Sequence, residues 1–333
     1  MKNFWLIIVM VAMSAFQSSC TVADGGMGSG PDSGGEAFIA LEAHSGKVTA
    51  ARNELATRPI GTLAQVATAV VVFDWATATG ESLAQQTVVS PGVLAVGGKN
   101  PMGLQPGDQI ALRDALYSML LGSDSASAQT LAEHVGRQIL ERRGGFGGDP
   151  VATFVDEMNE LSAALGMRRT TFRSPHGLEP QGNVSLSTVE DLARLGVYAM
   201  RHPGLVFYSE QKSRKIGYQR GGQQMAFRVS NTNGLVGRQN IDGLRAGQSP
   251  LTGPSLIISA NRKPIVEKLP NNRSRITKRR MLVVVLGSSN NEGRALELLN
   301  AGWPAYDQWV AMGGVAMIDP NTPNQLLTVP ELQ

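Results

Sequence analysis

Cysteine is almost missing from this chain. Cys20 is the single one among 333 residues, so no internal disulfide can form. Histidine is nearly as sparse, with four in all, and no His/Cys cluster has the spacing of a metal site; neither a metal nor another cofactor is expected. Charged residues make up only 17% of the chain, and a formal +3 with a pI near 9.1 gives no strong overall field and no reason to expect nucleic acid as a partner. The basic residues are dispersed except in Asn272 to Arg280. That run is read as a solvated loop leading into the apolar strand behind it, the alternative being contact with acidic polymer or lipid headgroups. No internal repeat is present. What the chain does have is 42% hydrophobic residues, enough to bury one large core or two smaller ones.

The amino terminus carries a targeting signal. Lys2 precedes the apolar stretch Phe4 to Met13, and small and polar residues follow as far as Ser18, Ser19 and Cys20. An apolar run this short, with a charged start and a small-residue end, reads as a signal peptide over residues 1–19. The place of Cys20 resembles a bacterial lipoprotein site, although Gln17 stands where leucine is usual; ordinary cleavage nearby and an uncleaved anchor are the other readings. All three put the domain outside the cytoplasm, in the cell envelope and, for the lipoprotein reading, tied to a membrane on its periplasmic face through lipidated Cys20. Residues 20–36 then form a Gly-, Ser- and Asp-rich linker that cannot bury enough surface to order itself and is read as a flexible tether.

A folded domain is expected over 37–313, with a short tail at 314–333. Ala37 to Ala43 and Val48 to Ala51 flank a polar turn containing Gly46 and predict a β-hairpin. Thr62 to Trp75 is apolar nearly all round; its length favours a buried helix, while its valines leave a strand open. Helical patterns follow at Leu112 to Leu121, Ala126 to Arg142, Val151 to Leu165 and Thr188 to Arg201. Leu256 to Ala260 and Met281 to Leu286 are β-branched runs bounded by turn residues, and Glu292 to Val310 reads as a closing helix broken near Pro304. Strands at both ends with helices between them predict an α/β architecture whose terminal segments share one sheet.

Several segments, in order, resemble the low-molecular-mass penicillin-binding proteins of the D-alanyl-D-alanine carboxypeptidase type. They are Ala95 to Asp108, Leu112 to Leu121, Thr171 to Leu178 (close to a family segment ending N-P-H-G-L), Ser187 to Ala193, Asn231 to Leu235 and Ile241 to Gly243. The resemblance spans about Ala37 to Trp309. It implies the serine β-lactamase-like fold, an antiparallel sheet from the two ends of the chain plus a mostly helical lobe. It also implies a site built from S-x-x-K, S-x-N and K-T-G. In that family the serine attacks the carbonyl between two D-alanines, the lysine one helical turn on serves as base, the second motif relays protons, and the third binds the terminal carboxylate.

At the matching positions this chain has Thr62-Leu63-Ala64-Gln65, Ser123-Asp124-Ser125 and Arg245-Ala246-Gly247. Thr62 keeps a hydroxyl but adds a methyl group, and Gln65 has no useful basicity. Ser123 is retained; Ser125 lacks the amide of asparagine. Arg245 keeps a positive charge and is expected to hold a carboxylate bidentately, Ala246 has lost the threonine hydroxyl, and Gly247 remains. The literal S-x-x-K at Ser209 to Lys212 lies far from the expected helix and is read as chance, and His176 as part of a structural turn. The resemblance therefore implies an envelope lipoprotein with a degenerate catalytic site, acting by binding peptidoglycan stem peptides or a cell-wall protein. The alternative is a peptidase that trims terminal D-alanine with Thr62 as an altered nucleophile. The short tail leaves no room for the β-rich C-terminal domain that many relatives carry, so one two-lobed unit is expected.

Overall fold

The computed structural model describes residues 35–145, 147–180, 182–251, 253–270 and 273–314, together with Leu332. The expected signal peptide, Cys20, nearly all of the expected tether and most of the tail lie outside the described residues.

The chain starts with the expected hairpin, β1 (Ala37–Glu42) and β2 (Val48–Arg52), then β3 (Arg58–Pro59). A short 3-10 turn at Gly61–Ala64 runs into α1 (Gln65–Thr79), so the Thr62 to Trp75 segment is helical and not a strand. After β4 (Gln86–Val88) and β5 (Gln109–Ala111) come α2 (Leu112–Gly122), α3 (Ser125–Arg142) and α4 (Pro150–Ala164). Next are β6 (Leu186–Ser187), α5 (Val189–Ala199), α6 (Pro203–Ser209), and the hairpin β7 (Ser213–Arg220) and β8 (Gln223–Ser230). The chain closes with β9 (Ile241–Ser249), β10 (Gly253–Leu269), β11 (Arg273–Leu286) and α7 (Asn291–Ala311).

The fold is α/β. Its main sheet is antiparallel, ordered β2-β1-β11-β10-β9, so N- and C-terminal strands interleave. The run Met281 to Leu286 explains the layering, because side chains alternate across a strand. Leu282, Val284 and Leu286 enter the large core shared with the helical lobe, while Met281, Val283 and Val285 enter a smaller core with Ala295, Leu298, Leu299 and Tyr306 of α7. A strand buried on both faces carries apolar residues at every position, which is what this run shows. Helix α1 is the axis of the lobe: it touches α2, α3, α4, α5 and α6, and Gln65 to Phe73 is buried without interruption. A second sheet, β4-β5-β7-β8, lies against α2.

Two sequence expectations are corrected. Helix α7 passes through Pro304 without breaking. Pro304 and Asn300 both face solvent, so the Asn300 carbonyl that proline leaves without its helical partner is open to water. The basic run Asn272 to Arg280 is not a loop; from Arg273 it is the outer part of β11, paired with β10 as far as Leu269↔Arg273.

Candidate active site

The 3-10 turn, the α2–α3 joint and strand β9 bring Thr62, Gln65, Ser123 and Arg245 together. Close backbone approach is what permits this. A Cβ on Gly247 would lie 2.8 Å from Leu63 Cδ2 and 3.2 Å from Leu63 N, so only glycine lets β9 run against the turn that carries Thr62. On the other side, Gly177 (φ 75°) packs on Gly61, and a Cβ there would fall 1.9 Å from the Gly61 carbonyl oxygen. Gly177→Ala is expected to destabilise the fold by about 1–3 kcal/mol, from overpacking against backbone together with an unfavourable left-handed conformation. Urea unfolding followed by circular dichroism checks this.

The second motif is the joint itself. Ser123 ends α2 in the left-handed region at φ 59°, an uncommon conformation for a residue with a Cβ. Asp124, which sequence reasoning passed over as the variable position of the motif, caps α3. Its carboxylate accepts from the Ser127 amide at 3.0 Å and from the hydroxyls of Ser118 and Ser127 at 2.7 and 2.9 Å. An aspartate just before a helical pattern was a readable N-cap signal. Burial raises its pKa against the pull of those hydrogen bonds.

Arg245 dominates the cluster. It is fully buried, and its guanidinium makes five hydrogen bonds: Nε to the Thr62 carbonyl at 3.1 Å, one terminal nitrogen to the carbonyls of Met119 and Leu120 at 2.7 Å each, and the other to Gln65 Oε1 at 2.5 Å and Ser123 Oγ at 3.0 Å. A guanidinium has five N–H donors, so all are committed. The expectation that Arg245 presents an open charge to a ligand carboxylate is therefore corrected: it is an internal tie. None of the five acceptors is a carboxylate. Met119 and Leu120 lie in the last turn of α2, whose carbonyls lack helical partners and carry the negative end of the helix dipole. A buried cation is thus matched by a helix terminus in place of an anion. Desolvation pushes its pKa down to about 9, which leaves it charged at neutral pH.

The other motif positions fit around it. Gln65 is completely buried, and its amide nitrogen donates to the His176 carbonyl at 3.3 Å, so both ends of the amide are engaged. Thr62 is 6% exposed, and its hydroxyl accepts from the Gln248 amide at 3.3 Å. Ser125 is 1% exposed and its hydroxyl has no hydrogen-bond partner among the described residues; Gly98 and Leu178 lie beside it. Ala246 points to the opposite side of the sheet, against the α7 core. His176 Nδ1 accepts from the Leu178 amide at 3.1 Å and contacts Ser174 Oγ at 3.2 Å, and burial lowers its pKa, so a neutral imidazole braces this turn. Glu179 completes the brace by accepting from Ser174 and Ser185. Among the described residues no group of three or more His, Cys, Asp or Glu is placed to hold a metal.

Antiparallel sheet, helical lobe and a cluster at their junction define the serine β-lactamase and D,D-peptidase class. Residues 27–267 match the family model for D-alanyl-D-alanine carboxypeptidase, and the chain belongs to that family. The chain is 27% identical over 261 residues to D-alanyl-D-alanine carboxypeptidase DacC of Escherichia coli, covering 76% of this chain and 58% of that one. It is 28% identical over 234 residues to a D-alanyl-D-alanine endopeptidase of Pseudomonas aeruginosa, with 68% of each covered. It therefore spans under two thirds of the length of the first of these. Among solved structures, a DD-transpeptidase from Streptomyces superposes with a TM-score of 0.67 at 21% identity, covering 80% of this chain and 96% of the other. Penicillin-binding protein D2 of Listeria monocytogenes, in its ampicillin-bound form, gives a TM-score of 0.63 at 23% identity over the same shares. Both likenesses establish the shared fold.

Proposed function

We propose that this chain is a non-hydrolysing member of the D-alanyl-D-alanine carboxypeptidase family. In this reading it is exported, held at a membrane of the cell envelope by lipidated Cys20 and the following tether, and acts by binding a cell-wall component, either peptidoglycan stem peptides or a cell-wall protein. The observation that carries the proposal is the saturated guanidinium of Arg245, wedged between Thr62, Gln65 and Ser123. A site that acylates needs a base beside its hydroxyl and room for the scissile carbonyl. Here the would-be base is an amide already bonded at both ends, and the space is occupied by arginine. With its donors spent, Arg245 also supplies no anchor for a substrate carboxylate, so recognition falls to other surfaces.

The purified protein is expected to give no covalent adduct with a fluorescent penicillin, by gel and by intact mass, beside an active carboxypeptidase as control. The Thr62 hydroxyl accepts from the Gln248 backbone amide and donates to no group among the described residues, which leaves its proton uncommitted and favours the second reading, Thr62 as nucleophile. A stable adduct that disappears in Thr62→Ala would establish that reading and overturn the first.

A further inference from the structure

From Arg273 onward, the basic run forms one strand of a projecting arm. Pairing of β10 with β9 stops at Ala260, and pairing of β11 with β1 stops at Met281. Beyond those points β10 and β11 pair only with each other, to Leu269↔Arg273, as a two-stranded ribbon leaving the sheet. Residues 261–280 hold eight of the chain's 30 Lys and Arg but one of its 27 Asp and Glu. The remainder of the chain therefore carries four more acids than bases, so the whole basic excess is in the arm.

Part of that charge is neutralised. Arg275 pairs with Glu267 at 3.3 Å, Arg262 and Arg279 with Asp307, and Arg280 with Asp242. Lys263, Lys268, Arg273 and Lys278 form no ion pair among the described residues. Two apolar side chains also face solvent on the ribbon, Val266 at 57% and Ile276 at 63% exposure. They are directly paired across the strands. Lys268 lies two residues beyond Val266, and Lys278 two beyond Ile276, so the period of a strand puts all four on one face. From base to tip that face reads lysine, an apolar pair, lysine.

We infer that this face docks on an anionic lipid bilayer, with Val266 and Ile276 entering the headgroup boundary and Lys268 and Lys278 contacting acidic headgroups. A polyanion in solution would be met by charge alone and gives no use for an exposed apolar pair, whereas a bilayer interface rewards both. The lipid anchor proposed above at Cys20 would supply such a surface, and the inference rests on that reading only for its setting.

The test uses the chain from residue 20 onward carrying Cys20→Ser, so that neither signal peptide nor acyl group contributes. Co-sedimentation is measured with vesicles of phosphatidylcholine and of an equal mixture with phosphatidylglycerol, and retention is measured on immobilised heparin as a soluble-polyanion control. The mixed vesicles are expected to bind at least about tenfold more tightly than the neutral ones, with Lys268→Glu/Lys278→Glu removing that gain. Val266→Ser/Ile276→Ser is expected to weaken vesicle binding severalfold and leave heparin retention unchanged. All four side chains are exposed, so circular dichroism should show every variant folded. Equal binding to both vesicles, or variants that bind like the parent, overturns the inference. Arm-dependent heparin retention without vesicle binding also overturns it and assigns the arm to an anionic polymer.

Discussion

A variant carrying Thr62→Ser, Gln65→Lys, Ser125→Asn, Arg245→Lys and Ala246→Thr together is expected to form a covalent adduct with a fluorescent penicillin at least about a hundredfold faster than the parent chain, the range that a positioned general base contributes. The physical reason for changing all five at once lies in the contact between Gln65 and Arg245. The guanidinium needs a neutral acceptor where the family has a lysine, and the Gln65 carbonyl oxygen provides it at 2.5 Å. Gln65→Lys alone would place a second cation against a buried guanidinium with no carboxylate among its partners, so that single change is expected to destabilise the protein and to give no acylation. Arg245→Lys shortens the group, frees part of the space and removes the fork that ties Thr62, Gln65 and Ser123. Only then can a lysine at 65 stand beside a serine at 62. The effects at positions 62, 65 and 245 are therefore strongly non-additive, as expected for residues that share one network, whereas Ser125 and Ala246 lie outside it. The readout is the rate of adduct formation by intact mass, with thermal unfolding to confirm the fold. A folded variant that still fails to acylate would mean that the shell around the five positions, including Gly98 and Leu178 beside Ser125, no longer admits the ligand.

Much of the fold was legible because its signals are local. The Thr188 cap before α5, the apolar period of α2 and the two-faced run Met281 to Leu286 each declare an element within a few residues. The motif positions were legible from their flanks. The fate of Arg245 was not. Its partners come from two stretches far from it in the chain, 62–65 and 119–123, and three of its five acceptors are backbone carbonyls, which leave no mark in a sequence. An arginine at that position read alone suggests a carboxylate receptor; the same arginine under the end of α2 is a helix cap. The arm was misread for a related reason. No residue from Arg273 to Arg280 is fully buried, so the alternation that betrays a half-buried strand is missing there.

Arg245→Ala is expected to cost about 3–5 kcal/mol of stability, the range for emptying a large buried side chain, and more than a surface arginine could contribute. Two opposing effects set the size. Removing the cation relieves the desolvation that holds its pKa near 9, which favours the variant. Against this, the change opens a cavity the volume of an arginine side chain and strands the carbonyls of Thr62, Met119 and Leu120, the Gln65 amide oxygen and the Ser123 hydroxyl in a dry interior. Each such orphan costs about 1–3 kcal/mol unless water reaches it, so the loss outweighs the relief. Arg245→Lys, with three donors in place of five, is expected to lose about 1–2 kcal/mol. Chemical denaturation of the three proteins at neutral pH decides the matter. A ranking of parent, lysine and alanine in falling stability is what an internal tie requires. If alanine is as stable as the parent, the guanidinium is not holding the site closed, and an open Arg245 becomes available again as the carboxylate receptor that its motif position suggests.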